Sequence, residues 1–148
     1  MFLSGVMHRS ENSLPLASKL RGLESETFRH ILTVLHQVNA RDDASTFEGL
    51  DDGEAVFDMK VLSVREELRT AGLGTHLLRE TMALARKRGF RRVKCEATNR
   101  YSRRASTNLG MSVQAEFGYG EYVDENGNRP FAHLEDTHRC VTLMTKDI

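Results

Sequence analysis

Val64-Arg65-Glu66-Glu67-Leu68-Arg69-Thr70-Ala71-Gly72-Leu73-Gly74-Thr75-His76-Leu77-Leu78 joins two segments of different period. Before it, Ala55 to Val64 is apolar and rich in β-branched residues, which predicts a central strand. After it, Leu73, Leu77, Leu78, Met82 and Ala85 recur at helical spacing, with Gly89 as the expected C-cap. Between them lie two glycines one residue apart, Gly72 and Gly74, with Arg69 upstream. A strand, a glycine turn and a helix in this order direct several backbone N–H groups at one point. Glycine lacks Cβ, so a bulky anion can approach the backbone. The helix start adds unpaired donors and partial positive charge. Arg69 can add a forked, permanent charge. A pyrophosphate suits this arrangement.

Two common pyrophosphate motifs do not fit. A P-loop needs Gly-Lys-Ser/Thr after the glycines, and the chain has Gly74-Thr75-His76. A dinucleotide fingerprint needs a third glycine, and position 77 is Leu. The spacing Arg69-x-x-Gly72-x-Gly74 instead resembles the acetyl-CoA motif of the GNAT acetyltransferase superfamily. A helix that simply follows a glycine turn is the plain alternative.

The downstream order narrows the resemblance. Gly89-Phe90-Arg91-Arg92-Val93-Lys94-Cys95-Glu96-Ala97-Thr98-Asn99-Arg100-Tyr101-Ser102 leads into Asn108-Leu109-Gly110-Met111. Tyr119-Gly120-Glu121-Tyr122, a turn at Asn126-Gly127 and the ending His138-Arg139-Cys140-Val141-Thr142-Leu143-Met144-Thr145-Lys146 follow. This succession resembles the invertebrate arylalkylamine (dopamine-type) N-acetyltransferases, from about Met1 to the end. Met111 and Glu121 depart mildly from the Phe and Asp usual there.

The resemblance implies acetyl-CoA as cosubstrate, the primary amine of a small arylalkylamine as acceptor, and no metal. It places the pantetheine arm against the backbone of Leu62, Ser63 and Val64, as an added strand. It places the pyrophosphate on Arg69, Thr70, Ala71, Gly72, Leu73, Gly74 and Thr75, with Asn99 at the family's usual asparagine. Packing accounts equally for the side chains of Leu62 and Val64. Arg65 reads as a surface charge, and Arg86-Lys87-Arg88 as cations offsetting a helix macrodipole. Many GNAT proteins carry a tyrosine that protonates the leaving thiolate, and Ser106 stands at that position. The dopamine-type enzymes lack it too. In them two serines four residues apart act with an upstream glutamate. Thr98 and Ser102 match the serines, a spacing that would put both on one helix face. Thr98 also reads as an N-cap, and Ser102 as a neutral helix serine. His138 matches a family histidine near the acceptor side, although a lone histidine is more often structural.

No residue matches the upstream glutamate. The family is longer at its N-terminus, so the first strands, two helices over the acceptor pocket and that glutamate are expected to be missing. Glu96 and Glu121 are the substitutes to consider, although a charged strand residue is usually solvated. Strand Met1 to His8 would then lack neighbours and form an exposed edge that invites self-association. Amine acetylation by such a chain is expected to be weak or absent.

Composition bounds the rest. The 148 residues can bury one core, and 39% hydrophobic and 28% charged residues are ordinary for one globular domain, taken as 1–148. A net charge of zero offers no field for nucleic acid or an anionic membrane. No apolar run approaches the roughly 20 residues of a membrane span, and the N-terminus does not read as an export leader, so a cytoplasmic location is expected. Cys95 and Cys140 lie in apolar strands and read as reduced core thiols.

The predicted elements are a strand at Met1–His8, a loop over Arg9–Gly22 and an amphipathic helix over Glu24–Asn39. A connection with a helical turn near Phe47 and the strand–turn–helix unit follow. Then come a strand at Arg91–Ala97, a helix at Asn99–Leu109, and strands at Ser112–Val123 and His138–Lys146. The fold class is mixed α/β. The resemblance makes it a GNAT-like acyl-CoA N-acyltransferase fold: a central mixed sheet flanked by helices, without the N-terminal strands and helices.

Overall fold

The structure, a computed structural model, describes residues 2–12, 21, 22, 24–42, 45–62, 64–134 and 138–148. Five strands form one sheet: β1 (Phe2–Met7), β2 (Val56–Leu62), β3 (Arg92–Ala97), β4 (Ser112–Gly118) and β5 (Cys140–Asp147). Their spatial order is β1-β2-β3-β5-β4. Only β2 and β3 are parallel; the other pairs are antiparallel, so the sheet is mixed. The helices among the described residues are α1 (Arg9–Asn12), α2 (Glu26–Ala40), α3 (Leu73–Lys87) and α4 (Arg100–Asn108).

The sheet is covered on both faces. Val34 and Val38 of α2 pack with Ala115, Phe117, Val141 and Leu143 on one face. Leu78, Met82 and Ala85 of α3, with Met111 beyond α4, pack on Phe57, Met59, Val93, Cys95 and Met144 on the other. Strand alternation therefore sends Val93, Cys95 and Ala97 toward α3 and α4, and Lys94 and Glu96 toward α2.

Both α3 and α4 end in the same way. Gly89 (φ 86°) and Gly110 (φ 79°) take the left-handed conformation. Phe90 N then bonds Ala85 O, and Met111 N bonds Ser106 O, closing Schellman motifs that satisfy the last carbonyls. Gly89 is the C-cap glycine the sequence marked, and Gly110 directly follows the helix expected over Asn99–Leu109.

Two expected boundaries change by more than two residues. Arg9–Asn12 is helical where a loop was expected. The Arg9 guanidinium explains it by a long-range contact: it donates to Phe47 O at 3.1 Å and lies 5.6 Å from the Phe47 ring centre. The fourth strand stops at Gly118 rather than Val123, because Tyr119–Glu121 form a 3-10 turn. Glu121 Oε1 accepts from Gly118 N at 2.8 Å, close enough that a Cβ at 118 would collide with it. Tyr119 and Tyr122 are both buried, so the apolar pattern runs on although the strand does not.

Candidate functional site

The parallel pair β2–β3 comes apart. Its ladder holds Phe57↔Val93 and Asp58↔Lys94. Beyond these, β2 runs on to Leu62 paired only with β1, and β3 runs on to Ala97 paired only with β5, among the described residues. A wedge about 13 Å long, four residues at the usual strand rise, opens along Met59–Leu62. The edge of β2 on this side offers backbone donors and acceptors.

The glycine turn closes the wide end of that wedge. Glu66–Ala71 form a 3-10 turn and Gly72 (φ 72°) is the N-cap of α3. Ser25 caps α2 and Asn99 caps α4 through their side chains, whereas the N-cap of α3 is Gly72, which has no side chain to cap with. The amides of Leu73, Gly74 and Thr75 begin the helix, where no intrahelical acceptor exists. A Cβ at Gly72 would meet nothing within 4 Å, whereas one at Gly74 would lie 3.7 Å from Leu62 and 3.8 Å from Val64. The turn thus stacks against the end of β2, and its backbone faces open space. Ala71 and Gly72 are exposed; Leu62, Val64, Leu73, Gly74 and Thr75 are half-buried. Ser63 and the side chains of Arg69 and Thr70 lie outside the described residues.

At the start of α4 the structure corrects the sequence reading. The N-cap is Asn99, not Thr98: Asn99 Oδ1 accepts from Tyr101 N and Ser102 N at 3.0 and 2.9 Å. Ser102 Oγ completes the box, donating to Asn99 O at 2.9 Å and accepting from Asn99 N at 3.3 Å. Thr98 precedes the helix and is exposed, so it does not share a helix face with Ser102. Its carbonyl is held by the Tyr119 hydroxyl at 2.6 Å. Burial, with a smaller contribution from Cys140, pushes the Tyr119 phenol up to about 12. Ser106 is buried with its hydroxyl 3.5 Å from Cys95 Sγ. The His138 ring lies 6.2 Å from that of Tyr101, and His138 Nδ1 is buried without a partner among the described residues.

The side chains that face α2 form a polar group that sequence reasoning expected to be solvated. Lys94 is fully buried, and Nζ contacts Glu96 Oε1 at 2.8 Å and Asn39 Oδ1 at 2.7 Å. Asn39 Nδ2 donates to the same Glu96 oxygen at 2.9 Å. Burial alone would raise the Glu96 carboxyl; the Lys94 charge and hydrogen bond, helped by Asn39, hold it below the usual glutamate range. On β2, Asp58 is buried with Oδ2 2.8 Å from Lys60 Nζ, and its Oδ1 has no partner among the described residues. Burial first, then Glu96, raises the Asp58 carboxyl. Glu121 is elsewhere, paired with Arg41 at 2.5 Å on the surface.

Lys94 leaves β3 on the face opposite Cys95, and Arg103 Nη1 lies 3.9 Å from Cys140 Sγ, a contact not foreseen. Burial pushes the Cys95 thiol up to about 11. Cys95 should therefore stay unlabelled by a bulky alkylating reagent at pH 8 while the protein is folded, and react on unfolding. Rapid native labelling, read by peptide mass, would remove it from the core.

Open surface concavities lie away from the wedge. One of about 540 Å³ is lined by His8, Arg9, Ser10, Gly53 and Glu54. Another of about 450 Å³ lies between α2 and the segment after β4. Neither joins the glycine turn to the buried polar group. Among the described residues no cluster of His, Cys, Asp and Glu is arranged to hold a metal ion, and no helix is long and apolar enough to cross a membrane.

Known proteins share this architecture. Arylalkylamine N-acetyltransferase 2 of Aedes aegypti superposes with a TM-score of 0.84 at 29% identity, over 99% of this chain and 66% of that one. Mosquito arylalkylamine N-acetyltransferase-like 5b gives 0.83 at 24%, over 99% and 67%. The polyamine N-acetyltransferase of Drosophila melanogaster gives 0.77 at 21%, over 99% and 68%; at these identities the latter two speak for the fold alone. The chain thus spans about two thirds of the length of these enzymes. No curated protein matches by sequence. Residues 37–111, half of the chain and the part that contains the wedge, the glycine turn and α3, match the acetyltransferase (GNAT) family, and the chain belongs to it.

Proposed function

We propose that the protein is an acetyl-CoA-dependent N-acetyltransferase acting on the primary amine of a small arylalkylamine of the dopamine, serotonin or tyramine type. The observation that carries this reading is the wedge between β2 and β3, closed at its wide end by a helix whose N-cap is a glycine. The pantetheine arm would lie alongside the end of β2, toward Leu62, Ser63 and Val64, as a peptide adds to a sheet. The pyrophosphate would take the amides of the turn Arg69 to Thr75, with the guanidinium of Arg69 beside it. Acyl transfer then needs a neutral amine, a polarised carbonyl and a proton for the thiolate. Ser102, Thr98 and, on the acceptor side, His138 are the side chains proposed to serve it, with Asn99 holding the start of α4 against the cosubstrate.

One observation favours a second reading, an acetyl-CoA-binding protein that does not acetylate amines. The Ser102 hydroxyl is committed on both sides to the Asn99 backbone. Titration calorimetry with acetyl-CoA, then thiol release with dopamine, serotonin, tyramine and agmatine, separates the readings. Agmatine belongs in the panel because one similar structure is of an agmatine N-acetyltransferase. Binding with transfer supports the enzyme, binding without transfer the second reading, and no binding leaves an interaction domain that uses the fold alone.

A cytoplasmic location and self-association belong to the same proposal. β1 is an edge of the sheet, among the described residues. An uncovered edge templates pairing with another chain, so sedimentation should show mass growing with concentration. A monomer at all concentrations would refute this.

A further inference from the structure

We propose that Lys60 is a modification site of the protein itself, its ε-amine acetylated by the acetyl-CoA held along β2. The proposal rests on the cosubstrate reading above and adds an acceptor that belongs to the chain.

Position comes first. Lys60 stands two residues before Leu62, within the part of β2 that has left β3. The acyl end of a pantetheine arm running back from the glycine turn along this edge would come to that part of the strand. The side chain of Lys60 leaves β2 on the same face as Asp58. Across the wedge, the facing strand carries Lys94 and Glu96, with Asn39 of α2 behind them.

The second ground is the pairing. Lys60 Nζ lies 2.8 Å from Asp58 Oδ2, with the lysine side chain 56% exposed and the aspartate only 2%. The lysine side chain is more than half exposed, and its amine is held by a buried carboxylate. Gly5 of β1 lies beneath the lysine stem: a Cβ there would be 3.0 Å from Lys60 Cε, so the resting side chain lies over β1 and swings across β2 to reach the wedge. The other described lysines are placed differently. Lys94 is fully buried in its ion pair, Lys146 Nζ is held by Leu109 O, and Lys87 is exposed in the last turn of α3.

The chemistry balances without an added reagent. The Lys60 ammonium gives one proton to the Asp58 carboxylate, and its lone pair attacks the thioester carbonyl carbon. The N–C bond forms, the C–S bond breaks, and the electron pair leaves on sulfur. The nitrogen loses its second proton, which ends on the CoA thiolate, and Asp58 returns its proton to solvent. A carboxyl raised by burial and by Glu96 is a better acceptor for this step than an exposed aspartate. The product has lost the cation that faced Asp58.

The test incubates the purified chain with deuterium-labelled acetyl-CoA and follows acetylation of each lysine by peptide mass spectrometry. Lys60 should be labelled at least about ten times faster than Lys87, which reports uncatalysed acetylation. Asp58→Asn should slow Lys60 by about a hundredfold, the lower end for a lost general base, while acetyl-CoA affinity by calorimetry stays unchanged. Equal rates at Lys60 and Lys87 in the unmutated chain would overturn the proposal, with no variant needed. So would an Asp58→Asn chain labelled like the parent. Acetyl-CoA binding without label on Lys60 overturns this proposal alone, whereas absence of binding overturns the cosubstrate reading as well.

Discussion

Lys94→Met should lower the stability of the fold by about 3–5 kcal/mol, the usual result of stranding one half of a buried ion pair. Lys94 is fully buried and Glu96 is 11% exposed at the side chain, so removing the ammonium leaves a carboxylate with Asn39 as its remaining neutral partner. Against a typical total of about 5–15 kcal/mol this is a large fraction. Urea unfolding measures it. The double variant Lys94→Met, Glu96→Leu should recover most of the loss, because two apolar residues in place of a buried pair are often tolerated. A loss under about 1 kcal/mol in the single variant would mean that Glu96 is solvated after all. The pair also sets a pH dependence. The Glu96 carboxyl is held below its unfolded value, so its contribution is present above the usual glutamate pKa of about 4.3 and fades as pH falls through the lower folded value. Acid should weaken the parent chain in that window and the double variant less.

Gly72→Val should abolish most acetyl-CoA binding, by about a hundredfold or more in Kd, which is about 2.7 kcal/mol. Two effects act together. A valine at φ 72° is strained, by about 1–2 kcal/mol, since β-branched residues avoid the left-handed region. Its side chain also projects into the open space before the helix start, where an anion would approach the backbone. The fold should survive, because the glycine contacts no side chain through that space. Calorimetry on a variant that still melts cooperatively is the measurement. Affinity equal to the parent would refute the pyrophosphate assignment.

Local signals made much of this fold legible. Gly89 and Gly110 end helices as expected, because a C-cap glycine needs only its own φ and the preceding turn. The strand–turn–helix unit around Gly72 was legible for the same reason. The start of α4 was misread between neighbours: Thr98 and Asn99 can both cap, and the signal that decides is the three-residue spacing from Asn99 to Ser102, which builds the capping box. The buried polar group had a signal as well. Asp58-x-Lys60 and Lys94-x-Glu96 each put two charges on one face of an otherwise apolar strand. That this face is covered depends on α2, whose Asn39 is 55 residues from Lys94, and no local pattern reports such a contact. The helical turn at Arg9 escaped likewise, since its anchor is the Phe47 carbonyl 38 residues away.

The parting of β2 from β3 divides the sheet into two stiff plates, β1–β2 and β3–β5–β4, stitched at two register positions. Plates joined so narrowly can breathe against each other at low cost, and amides along the gap should trade deuterium by local opening rather than by global unfolding. A molecule laid in the gap bonds to one plate and packs on the other. It would act as a splint, so the slowest-exchanging amides of the two plates should approach a common rate when it is bound.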